Sequence, residues 1–317
     1  MAEIDVLCIG DLDVDMFVSI PAIPGFDQKI AGRGHGRMPG GMSANCAVAV
    51  ARLGFRSRLV AAVGSDDSGK FAIGEIRAEG VDVEYVIHRR ETETFMCIVL
   101  ISPSGEKSLI KLETEAYLPH PHELDNAAFE GVRHLHTTFG NPELAHKALA
   151  MARERGVTTS LDLEPPDIAR NPQLLAALLP MIDTLFLNAE AFALVAGLLG
   201  EEPRPAHLHE KGEILVTLGS AGCRRLVAGS RTEEKGFAVK SVDTTGAGDC
   251  FAGAYLVARL EGAPPEGAMR MANAAAALAT TGIGAQTAMP THDCVAAFME
   301  ERVPVTTSGP PRSVIGE

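Results

Sequence analysis

Along most of this chain, short runs that are apolar throughout alternate with longer runs whose apolar residues recur every three or four positions. "DVLCIG" is followed by "SANCAVAVARLG", which Gly54 ends, and then by "SRLVAAVG". Further on come "HLHTTF" and "PELAHKALAMARERG", "TTSLDL" and "PQLLAALL", "TLFLN" and "AEAFALVAGLLG", and then "EILVTLG". A strand without a polar face must be covered on both sides, and parallel strands need a long crossover, usually a helix, to bring the chain back. The alternation therefore predicts an α/β fold of three layers, α/β/α, around a mostly parallel sheet. With 317 residues, 46% of them hydrophobic, there is apolar material for one large domain or two small ones. No internal repeat and no Ser/Pro-rich linker divides the chain.

One region breaks the rhythm. "TFMCIVLIS" and "KSLIKLE" flank a Pro-Ser-Gly turn and read as an antiparallel hairpin. With the extended, glycine-rich "MFVSIPAIPGFDQKIAGRGHG" it predicts a small accessory sheet, over segments of about 13–38 and 92–114, that would act as a lid. The last residues, "PVTTSGPPRSVIGE" (304–317), read as a disordered tail, which leaves 1–303 as a single folded domain.

The net charge of −13 argues against binding a nucleic-acid backbone or an anionic membrane face. It leaves room for a small anion, which local backbone donors can hold inside an acidic protein. Cys8, Cys46, Cys97, Cys223, Cys250 and Cys294 are scattered and contain no C-x-x-C pair, as expected of buried small hydrophobes in a reducing compartment. "MAEIDVLCIG" lacks the basic flank and apolar run of a signal peptide, and no run approaches the length of about 20 residues that a membrane span needs. A cytoplasmic location is expected. The pairs His120/His122, His134/His136 and His207/His209 share a face only on a strand, and they read as solvated or core histidines rather than metal ligands. The adjacent acids of "GSDDSGKF" read as a turn leading into a helix.

"VDTTGAGDC", Val242 to Cys250, is the stretch that points to chemistry. Phe251, Ala254, Tyr255 and Ala258 follow at helical spacing, so a helix begins near Gly248. Its first N–H groups lack intrahelical partners and carry the positive end of the macrodipole, and small residues there let an anion approach the backbone. Asp249 stands in that first turn. It can simply complement the dipole, or it can serve as general base for a hydroxyl attacking a bound phosphoryl group. Position alone leaves both open.

Two segments resemble signatures of the ribokinase / phosphofructokinase B family of carbohydrate kinases: "TTGAGDCFAGA", and "PGGMSANCAVAVARLG" from Pro39 to Gly54. "GDLDVD", "LFLN", "VTLGSAG" and "NAAAALATTGIGAQTAMP" match in family order, so the resemblance extends to about residue 300. It implies a ribokinase-like fold with a β-sheet lid, Asp249 as base, and the Gly246, Ala247 and Gly248 backbone as anion hole. It implies ATP with Mg2+, a nucleotide site at Asn188, Thr217, Gly219, Ser220, Gly222 and Asn273, and Glu190 as a Mg2+ ligand through water. The sugar side would be Asp13, Asp15, Gly40, Gly41 and Asn45. A monovalent cation such as K+ would lie against Asp243, Thr245, Ala279, Gly282 and Gly284. A homodimer through the lid is also implied. Read without the family, Asp13 and Asp15 are turn acids, Ser43 is a helix N-cap, and "VTLGSAG" is a strand turning into the hairpin "CRRLVAG…GFAVKSV".

Four departures bear on the substrate and on cation activation. Met42 stands where the ribokinase pattern has Lys after the Gly pair, and Ala288 stands where a serine hydroxyl often helps the cation. No acid appears in "HLHTTFGN", where a sugar-contacting one is expected, and "NAEA" puts Glu190 one position early in the family's N-x-x-E pattern. An ATP-dependent sugar kinase is the reading these residues favour, with a nucleoside kinase of the same family as the rival. A catalytically silent nucleotide-binding regulator is disfavoured by the intact acid.

Overall fold

The computed structural model of the protein describes residues 3–103, 107–210 and 212–302; the expected tail at 304–317 and most of the Pro-Ser-Gly turn lie outside them. From the start of the chain, β1 (Ile4–Ile9) leads to β2 (Asp13–Ser19), β3 (Arg33–Gly40), α1 (Met42–Arg52), β4 (Ser57–Val60), β5 (Ala62–Gly64), α2 (Asp67–Ala78) and β6 (Ile87–Arg89). The hairpin β7 (Met96–Ile101) and β8 (Lys107–Leu112) follows. Regular alternation then runs through β9 (Val132–Thr138), α3 (Pro142–Glu154), β10 (Thr158–Leu163), α4 (Pro165–Arg170), α5 (Pro172–Leu178), β11 (Thr184–Asn188), α6 (Ala189–Leu199) and β12 (Glu213–Thr217). A second hairpin, β13 (Gly222–Val227) and β14 (Ser230–Lys235), precedes α7 (Ala247–Leu260), α8 (Pro265–Ala279) and α9 (His292–Glu300).

An eight-stranded sheet in the order β14-β13-β12-β11-β10-β9-β1-β4 forms the centre. Its strands pair in parallel from β4 across to β12, and only the β12–β13–β14 end is antiparallel. Apolar residues alternate between its faces. Val6, Cys8, Phe186 and Leu215 join the core under α1, α7 and α8, whereas Leu7, Ile9, Leu185 and Ile214 join the core under α3 and α6. Burying such a side chain stabilises by about 1.5–3 kcal/mol, so both faces are covered because both are apolar.

The two segments that break the rhythm meet in a separate four-stranded sheet of order β3-β2-β7-β8. β2 pairs antiparallel with β3 and parallel with β7, and β7 pairs antiparallel with β8 across the predicted hairpin. The other predicted hairpin is corrected in part. Its first strand is Gly222–Val227, but its second is Ser230–Lys235 rather than "GFAVKSV". Phe237 and Val239 pack instead against the core, which takes their apolar side chains off the sheet.

Among the described residues no helix is long and apolar enough to cross a membrane. Cys294 is exposed and the other cysteines are buried and free. His134 and His136 sit in the sheet bonded to Ser160, and His209 pairs with Asp183, so these histidines have structural partners. Asp66 caps α2 by accepting the Gly69 N–H, as the turn reading of "GSDDSGKF" expects.

Candidate active site

α7 begins at Ala247 with Gly246 as its N-cap, at φ 74° and ψ 1°. That left-handed conformation favours glycine, and a Cβ there would also lie 2.7 Å from the Ala285 carbonyl oxygen. Gly248 is different: a Cβ on it would meet no atom within 4 Å. Packing therefore demands the first glycine and leaves the second facing open space. The Ala247 N–H donates to Thr244 O at 3.3 Å and the Cys250 N–H to Gly246 O at 2.9 Å. The N–H groups of Gly248 and Asp249, between them, have no backbone acceptor among the described residues. Of the expected hole, Ala247 is thus turned into the loop, and Gly248 with Asp249 offers the better pair of donors.

The Asp249 side chain is buried and held by a relay that spans the chain. Asn45 Nδ2 donates to Asp249 Oδ2 at 2.8 Å, and Gln286 Nε2 donates to Asn45 Oδ1 at 2.9 Å. Gln286 went unnoticed in the sequence, although it stands inside the quoted "GIGAQTAMP". Its loop is in turn clamped by Arg52, whose guanidinium donates to Gln286 O at 2.6 Å and Met289 O at 2.8 Å. Burial pushes the Asp249 carboxyl well above the usual carboxylate range and the charge of Asp162 adds to it, while the Asn45 hydrogen bond pulls the other way. A carboxylate in that state is a stronger proton acceptor than a solvated one.

Asp13 and Asp15 lie on one face of β2, buried and close to Cys97. Gly40 opposes Asp13 across the ladder, and a Cβ on it would fall 2.2 Å from Asp13 Oδ1 and 2.6 Å from Asp15 Oδ2. The glycine is what allows both carboxylates to lie against the β3 backbone. Asp13 Oδ1 has no hydrogen-bond partner among the described residues. An orphaned buried carboxylate oxygen is unfavourable unless a ligand donor reaches it. Burial, with the charges of Asp243 and Asp11, raises Asp15 to about 7. The Ser43 cap is corrected: Gly41 is the N-cap of α1, Ser43 is inside the helix, and Asp11 Oδ1 accepts the Ser43 N–H at 3.0 Å.

The acid that β9 lacks has counterparts one strand over. Asp162 and Glu164, at the end of β10, are each raised to about 7, chiefly by burial, and both act on Asp249. Asp162 reads only as part of the strand "TTSLDL" and Glu164 is not singled out, because nothing in their spacing shows which side of the cleft they border.

On the nucleotide side the expected residues serve local structure as well. Asn188 caps α6, its Oδ1 accepting the Ala191 N–H at 2.7 Å, and Glu190 is exposed in the first turn. Thr217 ends β12, and Gly219 and Ser220 form the short turn before Gly222 starts β13. Asn273 Nδ2 is spent on the carbonyls of Glu234 and Lys235, tying α8 to β14. On the cation side Asp243, Thr245 and Gly284 converge, with the Gly284 N–H donating to Asp243 Oδ2 at 2.8 Å. Gly282 lies against Ala288, and Ala279 is the buried last residue of α8. The Asp243 carboxylate and the Thr245 hydroxyl already hold the ammonium of Lys107, at 2.5 and 2.6 Å. A free monovalent cation does not fit the set as it stands.

Chemically, this arrangement can hold an anion at the start of α7 and relieve a nearby hydroxyl of its proton, which points to the class of kinases acting on small alcohols. Over residues 3–292 the sequence matches the family described as pfkB family carbohydrate kinase. It is 31% identical over 298 residues to the ATP-dependent ribose-1-phosphate kinase of Halopiger xanaduensis, covering 94% of this chain and 98% of that one. It is 29% identical over 307 residues to the ribokinase of Haemophilus influenzae, covering 92% and 97%. The crystal structure of the nucleoside kinase of Methanocaldococcus jannaschii aligns with a TM-score of 0.81 at 25% identity, over 94% of this chain and 98% of that one. The chain belongs to the pfkB family of carbohydrate kinases.

Proposed function

We propose that this chain, an ATP-dependent carbohydrate kinase by family, transfers the γ-phosphoryl group of ATP to a hydroxyl of a sugar or sugar derivative, with Asp249 as the base. The observation that carries the assignment is the open face at Gly248 beside a buried Asp249 that Asn45 orients. The Gly248 and Asp249 N–H groups would receive the migrating phosphoryl group, and Asp249 would take the hydroxyl proton. Asp13 and Asp15 would accept hydrogen bonds from other sugar hydroxyls, filling the vacant Asp13 Oδ1. The second sheet would act as a lid that excludes water competing for the phosphoryl group, and the described residues would form one domain with it.

Mg2+ suits hard oxygen donors, and such donors gather at the ends of two adjacent strands. Leu163 pairs with Leu187, so Glu164 and Asn188 are the next residues on each, with Glu190 just beyond. These residues would hold Mg2+ directly or through water, and the ion would neutralise charge on the nucleotide phosphates. A nucleoside is the second reading for the acceptor. It is supported by the likeness to the nucleoside kinase and by Met42, which puts an apolar side chain where ribokinases carry Lys.

Asp249→Asn tests the assignment because it keeps the shape and the Asn45 contact while losing the acceptor. Thermal stability and ATP binding should survive, and kcat should fall about 10²–10⁴-fold, measured by coupled ADP release over sugars, sugar phosphates and nucleosides. Near-normal turnover would end Asp249's role as base.

A further inference from the structure

Only 3% of the Asp243 side chain is exposed, and its carboxylate collects donors from its own turn and from the loop after α8. Oδ2 accepts the Gly284 N–H, and Oδ1 accepts the Thr245 N–H at 3.0 Å and the Thr245 hydroxyl at 2.7 Å. The compensating charge comes from elsewhere in the fold. Lys107, the first residue of β8 in the second sheet, brings its ammonium onto Asp243 Oδ1 and Thr245 Oγ1. The threonine hydroxyl accepts a hydrogen bond from the ammonium and donates one to the carboxylate, so the three groups close a small ring. Thr245 is the residue before Gly246, the cap from which α7 and its free N–H groups start. Asp15 feels the charge of Asp243, and Lys107 opposes it. One ammonium thus screens two acids beside the place where a phosphoryl group would arrive, and holds the turn that opens the helix.

We propose that Lys107 is a positioning residue for phosphoryl transfer: its ammonium, carried on the second sheet, serves the turn before α7 as a tethered monovalent cation, so that no free one is needed. The proposal rests on the kinase reading above. A tethered charge has a high effective concentration that does not depend on the salt in solution. It also keeps the Asp243 charge from repelling the migrating group.

The test compares the parent protein with Lys107→Met, which keeps the stem and removes the charge, in KCl and in choline chloride at equal ionic strength. The parent should turn over equally in both. In choline chloride, Lys107→Met should lose about ten- to a hundredfold in kcat, the usual cost of removing one partner of a charged hydrogen bond, with little change in KM for ATP. KCl or ammonium chloride should restore much of that loss. Lys107→Arg, which keeps the charge, should stay independent of K+; if it too is impaired and K+ does not help, the hairpin contact matters rather than the charge, and the proposal fails. Melting of the ligand-free proteins supplies a readout free of the kinase reading: K+ should raise the melting temperature of Lys107→Met and leave the parent unchanged. A parent enzyme that requires K+, or a Lys107→Met variant neither impaired nor responsive to K+, would overturn the proposal.

Discussion

At the scale of single residues, the two glycines of "GAGD" separate packing from chemistry. Gly246 cannot be replaced without displacing Ala285, whereas Gly248 has open space where a side chain would go. Gly248→Ala should therefore fold normally and melt at the same temperature or higher, since alanine in a helix is favoured over glycine by about 0.5–1 kcal/mol. Activity should nevertheless fall at least about tenfold, because the new methyl group would occupy the proposed phosphoryl position and leave its donors unmatched. A stable Gly248→Ala protein with parental kcat would move the anion away from this turn. The candidate base and its turn could be singled out in the sequence because Asp249 and the glycines are neighbours along the chain. Gln286 and Lys107 were not, since Gln286 reaches Asn45 across 241 positions and Lys107 reaches Asp243 across 136. Their roles come from register between distant elements, which no local pattern encodes. For the same reason no local pattern shows which N–H groups of the turn stay unpaired: the Thr244–Ala247 bond that engages Ala247 is a property of the folded loop.

At the scale of elements, uniformly apolar runs identified the parallel strands, and the one Pro-Ser-Gly interruption identified the hairpin of the second sheet. What the pattern could not show was that β2 pairs with β7 in parallel, which places Asp15 beside Cys97. The hairpin β13–β14 was half legible. Its second strand, "SRTEEK", is polar and exposed, and so it lacks the apolar signal by which strands are recognised. β8 is an edge strand of the second sheet and leaves Leu109, Ile110 and Leu112 between 44% and 55% exposed. An apolar edge of this kind invites pairing with another chain, and it supports a homodimer formed through the second sheets. Leu109→Glu with Leu112→Glu should shift the protein from dimer to monomer in sedimentation velocity with little loss of helix signal. A parent protein that sediments as a monomer would refute the dimer.

At the scale of the whole molecule, the cleft concentrates acids whose carboxyls burial raises above the ordinary range. Asp15, Asp162 and Glu164 each titrate near about 7, against ordinary values of 3.8, 3.8 and 4.5. Between about pH 4 and 7 the folded protein holds protons that the unfolded chain has released, so stability falls as pH rises through that window. His134, lowered to about 3 from 6.5 by burial, acts in the opposite direction but is one group against these three and the likewise raised Asp13, Asp167 and Asp249. Acids lowered by their partners, such as Asp243 and Glu79, act in the opposite direction only in the acidic part of this window, where their unfolded-state carboxyls titrate. The urea midpoint of the ligand-free protein should drop from about pH 5 to about pH 8, and Asp162→Asn should flatten the slope. A midpoint that rises over the same interval would contradict the raised values. The relay from Gln286 through Asn45 to Asp249 also bears on synthesis at the ribosome. Asn45 emerges early and Asp249 late, and Gln286 follows α8. A chain that stops between Asp249 and Gln286 lacks the outer link of the relay, from Gln286 Nε2 to Asn45 Oδ1. The orientation of Asp249 that the relay fixes is therefore complete only after Gln286 has been made and has folded back onto Asn45, 241 positions earlier in the chain.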